Sequence, residues 1–467
     1  MPLVTRRTQR RGPATVAAVF VLLFVAAAPV YAGGSRQQPT ASAARIESDI
    51  TALASLEFAG RLTGSDGNIE AARYLATALE QLGYAGADGG SVLEWYTQPV
   101  ILAEEPPTLV VSDGSGTGKR FGPGQVDVLI RAGCRISGTV SGNVVEFPDT
   151  EPSPEWVSEH RDAILFIDAK RFGELTSNQE LMAALFHPDD SPQAIVLTLP
   201  AMLTTLPRGV FLTHESYANK GPMLAQATAD TAATIRAAGP AAQLTLSSHY
   251  RVVEREVPNV VARLHSRRPN APDDSQRAQA TGDARPPIVL SAHFDGTGDM
   301  SSRVRYPSAV DNASGTAVVL ELARLLAASQ GAPSTDVWIV FFNGEEQGLY
   351  GSREFVQRHR TQMRDAIVLN LDMVGHGTDA PYTVSFTEDS GAVARELANA
   401  LNDAGLATTP ARGGGSDHAS FEGTARAVSV VQAPYRFMHQ QGDVADVAAP
   451  ESLAAIVSVL LKFVSGR

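Results

Sequence analysis

The sequence predicts an α/β fold: a mixed, largely parallel central sheet with helices on both faces, and a smaller strand-rich inserted domain. Three observations predict it. From Ile288 to Val464, short apolar runs bounded by proline, glycine or polar residues alternate with stretches of helical periodicity, the pattern of βα units. Between about residues 105 and 250 the texture changes to short strands with frequent proline and glycine. The chain has 467 residues, 44% hydrophobic and 19% charged, enough apolar side chain for a large core and more than one domain.

The N-terminus stands apart from these domains. Arg6, Arg7, Arg10 and Arg11 precede an apolar run from Val16 to Ala28, then Pro29 and Val-Tyr-Ala ending at Ala32. A basic region, a short apolar core and small residues before a cut describe a secretory signal peptide over 1–32. The run is short for a membrane span of roughly 20 residues. The expectation is therefore export to the periplasm or the extracellular space, with no stable membrane insertion after cleavage. Losing those four arginines leaves 34 basic against 50 acidic residues, a balance near −16. That argues against nucleic acid or an anionic membrane surface as a partner. Cys134 is the one cysteine, so no intrachain disulfide and no multi-thiolate zinc site can form. Any metal must be held by histidine and carboxylate.

Residues 33–45, rich in Gly, Ser, Gln and Pro, read as a flexible leader. The span 46–104 reads as the first part of the main domain. In it Ile69, Ala72, Leu75, Ala76, Leu79 and Leu82 fall at helical spacing, and Gly83 stops the run. The preceding loop, Gly60 to Gly67, lacks the lysine and the strand of a phosphate-binding loop, and reads as a lead into a capped helix. Within 105–250, strands are expected at Gly138 to Val145, Ala163 to Ile167 and Ala194 to Leu199, with a helix near Gln179 to Phe186. The main domain resumes over 251–467 with a strand at Asn259 to Leu264. A polar, proline-rich loop over 266–285 follows.

Beyond that loop the alternation is regular. Strands are expected at Ile288 to Ala292, Val337 to Phe342, Ala366 to Leu371 and Val428 to Gln432. Helices are expected at Asn312 to Ala328, Ser352 to His359, Gly391 to Ala404 and Pro450 to Val464. In such sheets functional groups collect just beyond the carboxyl ends of the strands. Those positions hold His293 and Asp295, Glu345 and Glu346, Asp372, and His439; Asp311 occupies a turn directly before a helix. Each has a bland reading. Asp311 could cap its helix, and Glu345-Glu346 could be an acidic first turn. Together they are two histidines and five carboxylates at one edge. Carboxylates sharing a partly buried site cannot all ionise without compensating cations. Histidine with carboxylate favours zinc, with cobalt or manganese as substitutes.

The motif series resembles the di-zinc aminopeptidase family of clan MH. It runs Ala-His293-Phe-Asp295, Val-Asp311-Asn-Ala-Ser-Gly, Gly-Glu345-Glu346-Gln-Gly-Leu-Tyr-Gly-Ser, Asn-Leu-Asp372-Met-Val-Gly, Ser-Asp417-His-Ala-Ser-Phe and His439-Gln-Gln-Gly-Asp443. That family includes bacterial leucyl aminopeptidases, aminopeptidase Y, glutamate carboxypeptidase II and glutaminyl cyclases. The loop and helix from Gly60 to Tyr84 are similar to its opening segment, and 105–250 resembles, more weakly, a protease-associated domain.

The resemblance implies the zinc aminopeptidase fold and two zinc ions. His293 and Asp372 would hold one ion, Glu346 and His439 the other, and Asp311 would bridge them. Asp295 would orient His293, Glu345 would be the general base toward the attacking water, and the Asp311–Asn312 peptide would be cis. The implied activity is removal of N-terminal residues from peptides with a free N-terminus. A glutaminyl cyclase, a carboxypeptidase or a catalytically impaired binding relative are the alternatives. Met438 and Gln440 depart from the family, where many members carry Tyr and Thr beside the last histidine. Methionine has no donor for a developing oxyanion, so Tyr435, Arg436 or a residue of the insert is the expected replacement.

Overall fold

The computed structural model describes residues 40–112, 118–201, 203, 205–213, 218–239, 241–265, 285–329 and 334–467. The expected signal peptide, the start of the leader and residues 266–284 of the polar loop lie outside the described residues. The strands are β1 (Leu93–Ala103), β2 (Thr108–Ser112), β3 (Gly118–Phe121), β4 (Val126–Val128), β5 (Ser137–Glu146), β6 (Ile164–Asp168), β7 (Ala194–Thr198) and β8 (Met223–Ala227). They continue with β9 (Gln243–Leu264), β10 (Ile288–His293), β11 (Val337–Phe342), β12 (Ile367–Leu371), β13 (Tyr382–Phe386), β14 (Thr408–Arg412) and β15 (Arg426–Gln432).

In the main domain the strand order is β14-β13-β15-β12-β10-β11-β9. β10 pairs parallel with both β11 and β12, and β12 pairs parallel with β15. β9 closes one side antiparallel to β11, and β13 pairs antiparallel with β15. Every residue of β10, β11 and β12 is buried. This is why their sequences are near-continuous apolar runs and not alternating ones: a parallel sheet covered on both faces leaves no solvent side. The helix Gly315–Ala328 is apolar around most of its circumference for the same reason. The main core joins its side chains to β10 and β12 and to the helices Asp66–Gln81, Gly391–Asp403 and Pro450–Ser465.

The first helix, Ala43–Leu53, begins inside the span expected as a flexible leader. The Ser42 side chain caps it, and the Ser42 N–H and the Arg45 guanidinium both donate to the buried Glu321. One tertiary partner, Glu321, thus orders a segment whose composition suggests a linker. The helix expected from Asn312 starts at Gly315, because residues 309–314 form a separate tight turn.

The inserted region differs from expectation in its internal order. β5, β6, β7 and β8 form a parallel ladder, accompanied by the helices Pro154–Glu159, Ala169–Leu175, Gln179–Leu185 and Ala229–Ala237. It is itself α/β, and residues between Ile101 and Tyr250 supply its own apolar cores. β9 runs for 22 residues from this region into the main sheet, pairing with β5 at one end and β11 at the other. β1 lies antiparallel along its middle. In sequence only the last six residues of β9 were legible. Its first eight residues alternate in burial, but Arg251, Glu254, Arg255 and Glu256 crowd its exposed middle and break the period-two signal before the apolar end.

Candidate metal centre

The parallel pairing of β10, β11, β12 and β15 sends their carboxyl ends to one edge. His293 is the last residue of β10, and Asp295 lies two residues beyond. Asp372 follows β12 directly, Glu345 and Glu346 follow β11 after Asn343-Gly344, and His439 lies on the loop after β15. Two groups of ligand atoms result: His293, Asp311 and Asp372, and Asp311, Glu346 and His439. Asp311 belongs to both. Its Oδ1 lies 3.5 Å from His293 Nε2, and its Oδ2 lies 3.3 Å from His439 Nε2. His293 Nε2 is 3.3 Å from Asp372 Oδ1, and His439 Nε2 is 2.9 Å from Glu346 Oε2.

The Asp311 turn is fixed from several sides. The Asp311–Asn312 peptide is cis, as the resemblance implied. Asp443 accepts the backbone N–H of Val310 at 2.7 Å and of Asp311 at 3.1 Å. The Asn312 side chain donates to the Leu371 carbonyl at the end of β12 and accepts from the Gly315 N–H. Gly315 permits this approach, since a β-carbon there would stand 2.4 Å from the Leu371 oxygen. Arg61, fully buried, donates to the carbonyls of Leu53, Phe294, Pro307 and Ser308, joining the end of β10 to the turn before Asp311. Burial lowers its pKa to about 10, while the charges of Asp443, Asp295 and Asp311 hold it up. In sequence Gly60-Arg61 reads as part of a loop, and the clamp is missed. Arginine in the loop before a capped helix was the available signal.

Asp295 does more than was expected of it. Its carboxylate lies 3.5 Å from His293 Nδ1, but without the alignment of a hydrogen bond, so Nδ1 has no hydrogen-bond partner. The same carboxylate accepts the backbone N–H of Glu345 and of Glu346, each at 3.2 Å, and the Thr63 hydroxyl at 3.1 Å. It therefore positions the Glu345-Glu346 loop as well as facing the histidine. Tyr435, expected as a replacement oxyanion donor, gives its hydroxyl to Asp443 at 2.7 Å, and Arg436 stacks on Phe437.

Two further buried residues received no role from the sequence. Asp443 is one, and burial pushes it up to about 6. Asp417 is the other: fully buried, with neither oxygen in a well-formed hydrogen bond, and pushed up to about 7 by burial. Both stand in the quoted motif strings, which were the available signal.

The electrostatics have one cause. Burial removes water from several carboxylates at once, and the histidines gather protons in response. Burial raises Glu346 to about 7 and lifts the half-buried Glu345 well above the ordinary carboxylate range, with His293 opposing and Asp372 adding. Glu346 raises His439 to about 12. Burial opposes a charge on His293, yet Glu345 and Asp372 hold its pKa well above the ordinary value. Glu346 Oε1 is buried without a hydrogen-bond partner. An orphaned buried carboxylate oxygen costs about 1–3 kcal/mol or more, and a cation between the ligand groups would satisfy it. The donor set, two imidazoles and three carboxylates, fits zinc.

The sequence model for "Peptidase family M28" matches residues 277–464. A probable zinc metalloprotease of Pyrenophora tritici-repentis is 40% identical over 106 residues, 22% of this chain and 22% of that protein. A probable leucine aminopeptidase of Arthroderma otae is 31% identical over 108 residues, 22% of this chain and 30% of that protein. The chain thus spans about a fifth to a third of the length of these curated relatives. Among solved structures, a zinc aminopeptidase from Bacillus subtilis superposes with TM-score 0.64 at 17% identity, covering 92% of this chain and 97% of that one. The aminopeptidase from Aneurinibacillus sp. strain AM-1 gives 0.60 at 20% identity, covering 91% and 94%. At these identities the likeness is one of fold: a mixed α/β architecture with a large, mostly parallel sheet. The local sequence matches add to this: the segment 277–464, which carries every candidate ligand, is the part of the chain that matches peptidase family M28.

Proposed function

We propose that this chain is an exported, zinc-dependent aminopeptidase that removes N-terminal residues from peptides. The observation that carries the reading is Asp311, which turns one carboxylate oxygen toward each histidine and so stands between two complete ligand sets. His293 and Asp372 would hold one zinc, Glu346 and His439 the other, and Asp311 both. A metal pair bound there supplies Lewis acidity toward the scissile carbonyl and lowers the pKa of water.

The remaining work falls to the chain's own side chains. Glu345 takes the proton of the attacking water on its carboxylate and hands it to the leaving nitrogen. Asp295 fixes the backbone at Glu345 and Glu346, so the base and its neighbouring ligand move as one unit. The carboxylates lining the site attract a substrate α-ammonium group, which favours cleavage one residue in from a free N-terminus. Completeness of both ligand sets supports a hydrolase over a single-metal cyclase. Export rests on the reading of residues 1–32; among the described residues no helix is long and apolar enough to cross a membrane.

The test is hydrolysis of Leu-p-nitroanilide by the purified mature chain, with metal content measured on the same sample. Zinc-dependent release of nitroaniline, lost with chelator and restored with zinc, is the expected result. A chain that carries no transition metal and leaves the substrate intact would remove the proposal.

A further inference from the structure

We infer that an arm of the inserted domain, residues 205–212, is a fixed wall of the substrate cleft, and that Phe211 on it selects an apolar second residue in the peptide. This rests on the aminopeptidase reading above. The arm crosses between the two loops that carry the second ligand group. At one end the Arg208 N–H donates to the carbonyl of His439 at 2.8 Å; at the other the Leu212 N–H donates to the carbonyl of Gln347, the residue after Glu346, at 3.0 Å. Further bonds hold it down. The Tyr306 hydroxyl donates to the Leu206 carbonyl at 3.0 Å, and Arg208 Nε donates to the Thr297 carbonyl at 2.8 Å. An arm pinned at both ends to ligand-bearing loops is a wall, not a hinged cover.

The direction of Phe211 follows from the alternating burial along the arm. Leu206, Arg208, Val210 and Leu212 are buried, and Val210 and Leu212 pack into the insert's core. Successive side chains of an extended segment point to opposite sides, so Phe211 faces away from that core and is 56% exposed. Its ring edge stands 3.3 Å from where a β-carbon on Gly348 would lie, two residues beyond Glu346. Gly348, with φ at +124°, leaves the room that the ring uses. Met438, next to His439, is 45% exposed. Among the described residues, two of the five exposed large apolar side chains thus lie beside the loops that carry this ligand group.

The side of the cleft identifies the substrate residue. Glu345 delivers its proton to the leaving nitrogen, so the leaving part of the peptide passes along the Glu345–Leu349 loop. Phe211 lies against that loop and meets the side chain of the residue that follows the cleaved bond. An aromatic or large aliphatic side chain there covers the ring; glycine leaves it in water.

Two peptides, Leu-Phe-Gly and Leu-Gly-Gly, share a first residue and differ in the second. The zinc-loaded full chain is expected to prefer Leu-Phe-Gly in kcat/KM, and Phe211→Ala to shrink that preference at least about tenfold. An unchanged preference overturns the inference, while failure of the wild-type chain to cleave either peptide removes the aminopeptidase reading and this inference with it. A second readout needs no turnover. In the double variant Glu345→Gln/Phe211→Cys, the introduced thiol is the accessible one, because Cys134 is buried. Leu-Phe-Gly should slow its alkylation by iodoacetamide and Leu-Gly-Gly should not; equal rates with the two peptides count against Phe211 as a contact.

Discussion

His293 and Asp372 stand at the ends of β10 and β12, adjacent parallel strands in the middle of the sheet, and His293 is fully buried. Glu346 and His439 stand on loops, His439 at φ +57° with 30% of its side chain exposed and the insert's arm bonded to its carbonyl. One half of the candidate centre is therefore part of the core, placed by strand register. The other half is placed by loop contacts: Asp295 holds the Glu346 backbone, and Arg208 meets the His439 backbone. In the proposed centre, strand register would fix the position of the first ion, while the second half would lie within reach of the substrate and the insert.

Variants can break this comparison. The largest expected effect is on chemistry. Glu345→Gln should keep its zinc and lose about 10²–10⁴-fold in kcat; normal turnover would remove Glu345 as the base. Next comes Arg61→Ala, which strands four buried carbonyls beneath the first half and should cost at least about 3 kcal/mol of stability. Urea denaturation measures this, and a loss below about 1 kcal/mol would show that the clamp is dispensable. Asp295→Asn tests the link between the halves, because it alters both the group facing His293 and the acceptor for the Glu345 and Glu346 N–H groups. Metal affinity or activity should fall about 10–100-fold, and kinetics with a zinc titration would reveal an unaffected variant.

The smallest effect is one of pH. Glu346 keeps His439 protonated across the neutral range in the metal-free protein, with a pKa of about 12. A metal must displace that proton, so apparent zinc affinity should rise with pH, by up to about tenfold per unit for each proton released. Calorimetry in buffers of different ionisation enthalpy reads the released protons directly. A pH-independent affinity with no proton release would contradict the arrangement at His439.

The same division explains what was legible in the sequence. His293, Asp295 and Asp372 follow from apolar runs whose ends can be read, because a strand buried on both faces leaves an unbroken apolar signature. The separation of the insert was visible as a change in texture, but its parallel ladder was not. Short strands such as β6 and β7 carry no mark of their partner's direction. β9 was mostly hidden by the charges along its exposed middle. The clamp by Arg61 and the hold of Asp443 on the Asp311 turn join residues more than 130 positions apart, and no local pattern encodes such pairs. Tyr435 shows the converse: proximity in sequence to His439 suggested a role in the site, and the nearer acceptor, Asp443, claims its hydroxyl instead.

The central claim is that Asp311 joins two ligand sets, one on strand ends and one on loops. Zinc stoichiometry measured on the wild-type chain and on His439→Ala tests it most directly. The arrangement predicts about two zinc ions in the first and about one in the second, the survivor held by His293, Asp311 and Asp372. A wild-type chain that binds at most one ion, or a His439→Ala variant that still binds two, would contradict it.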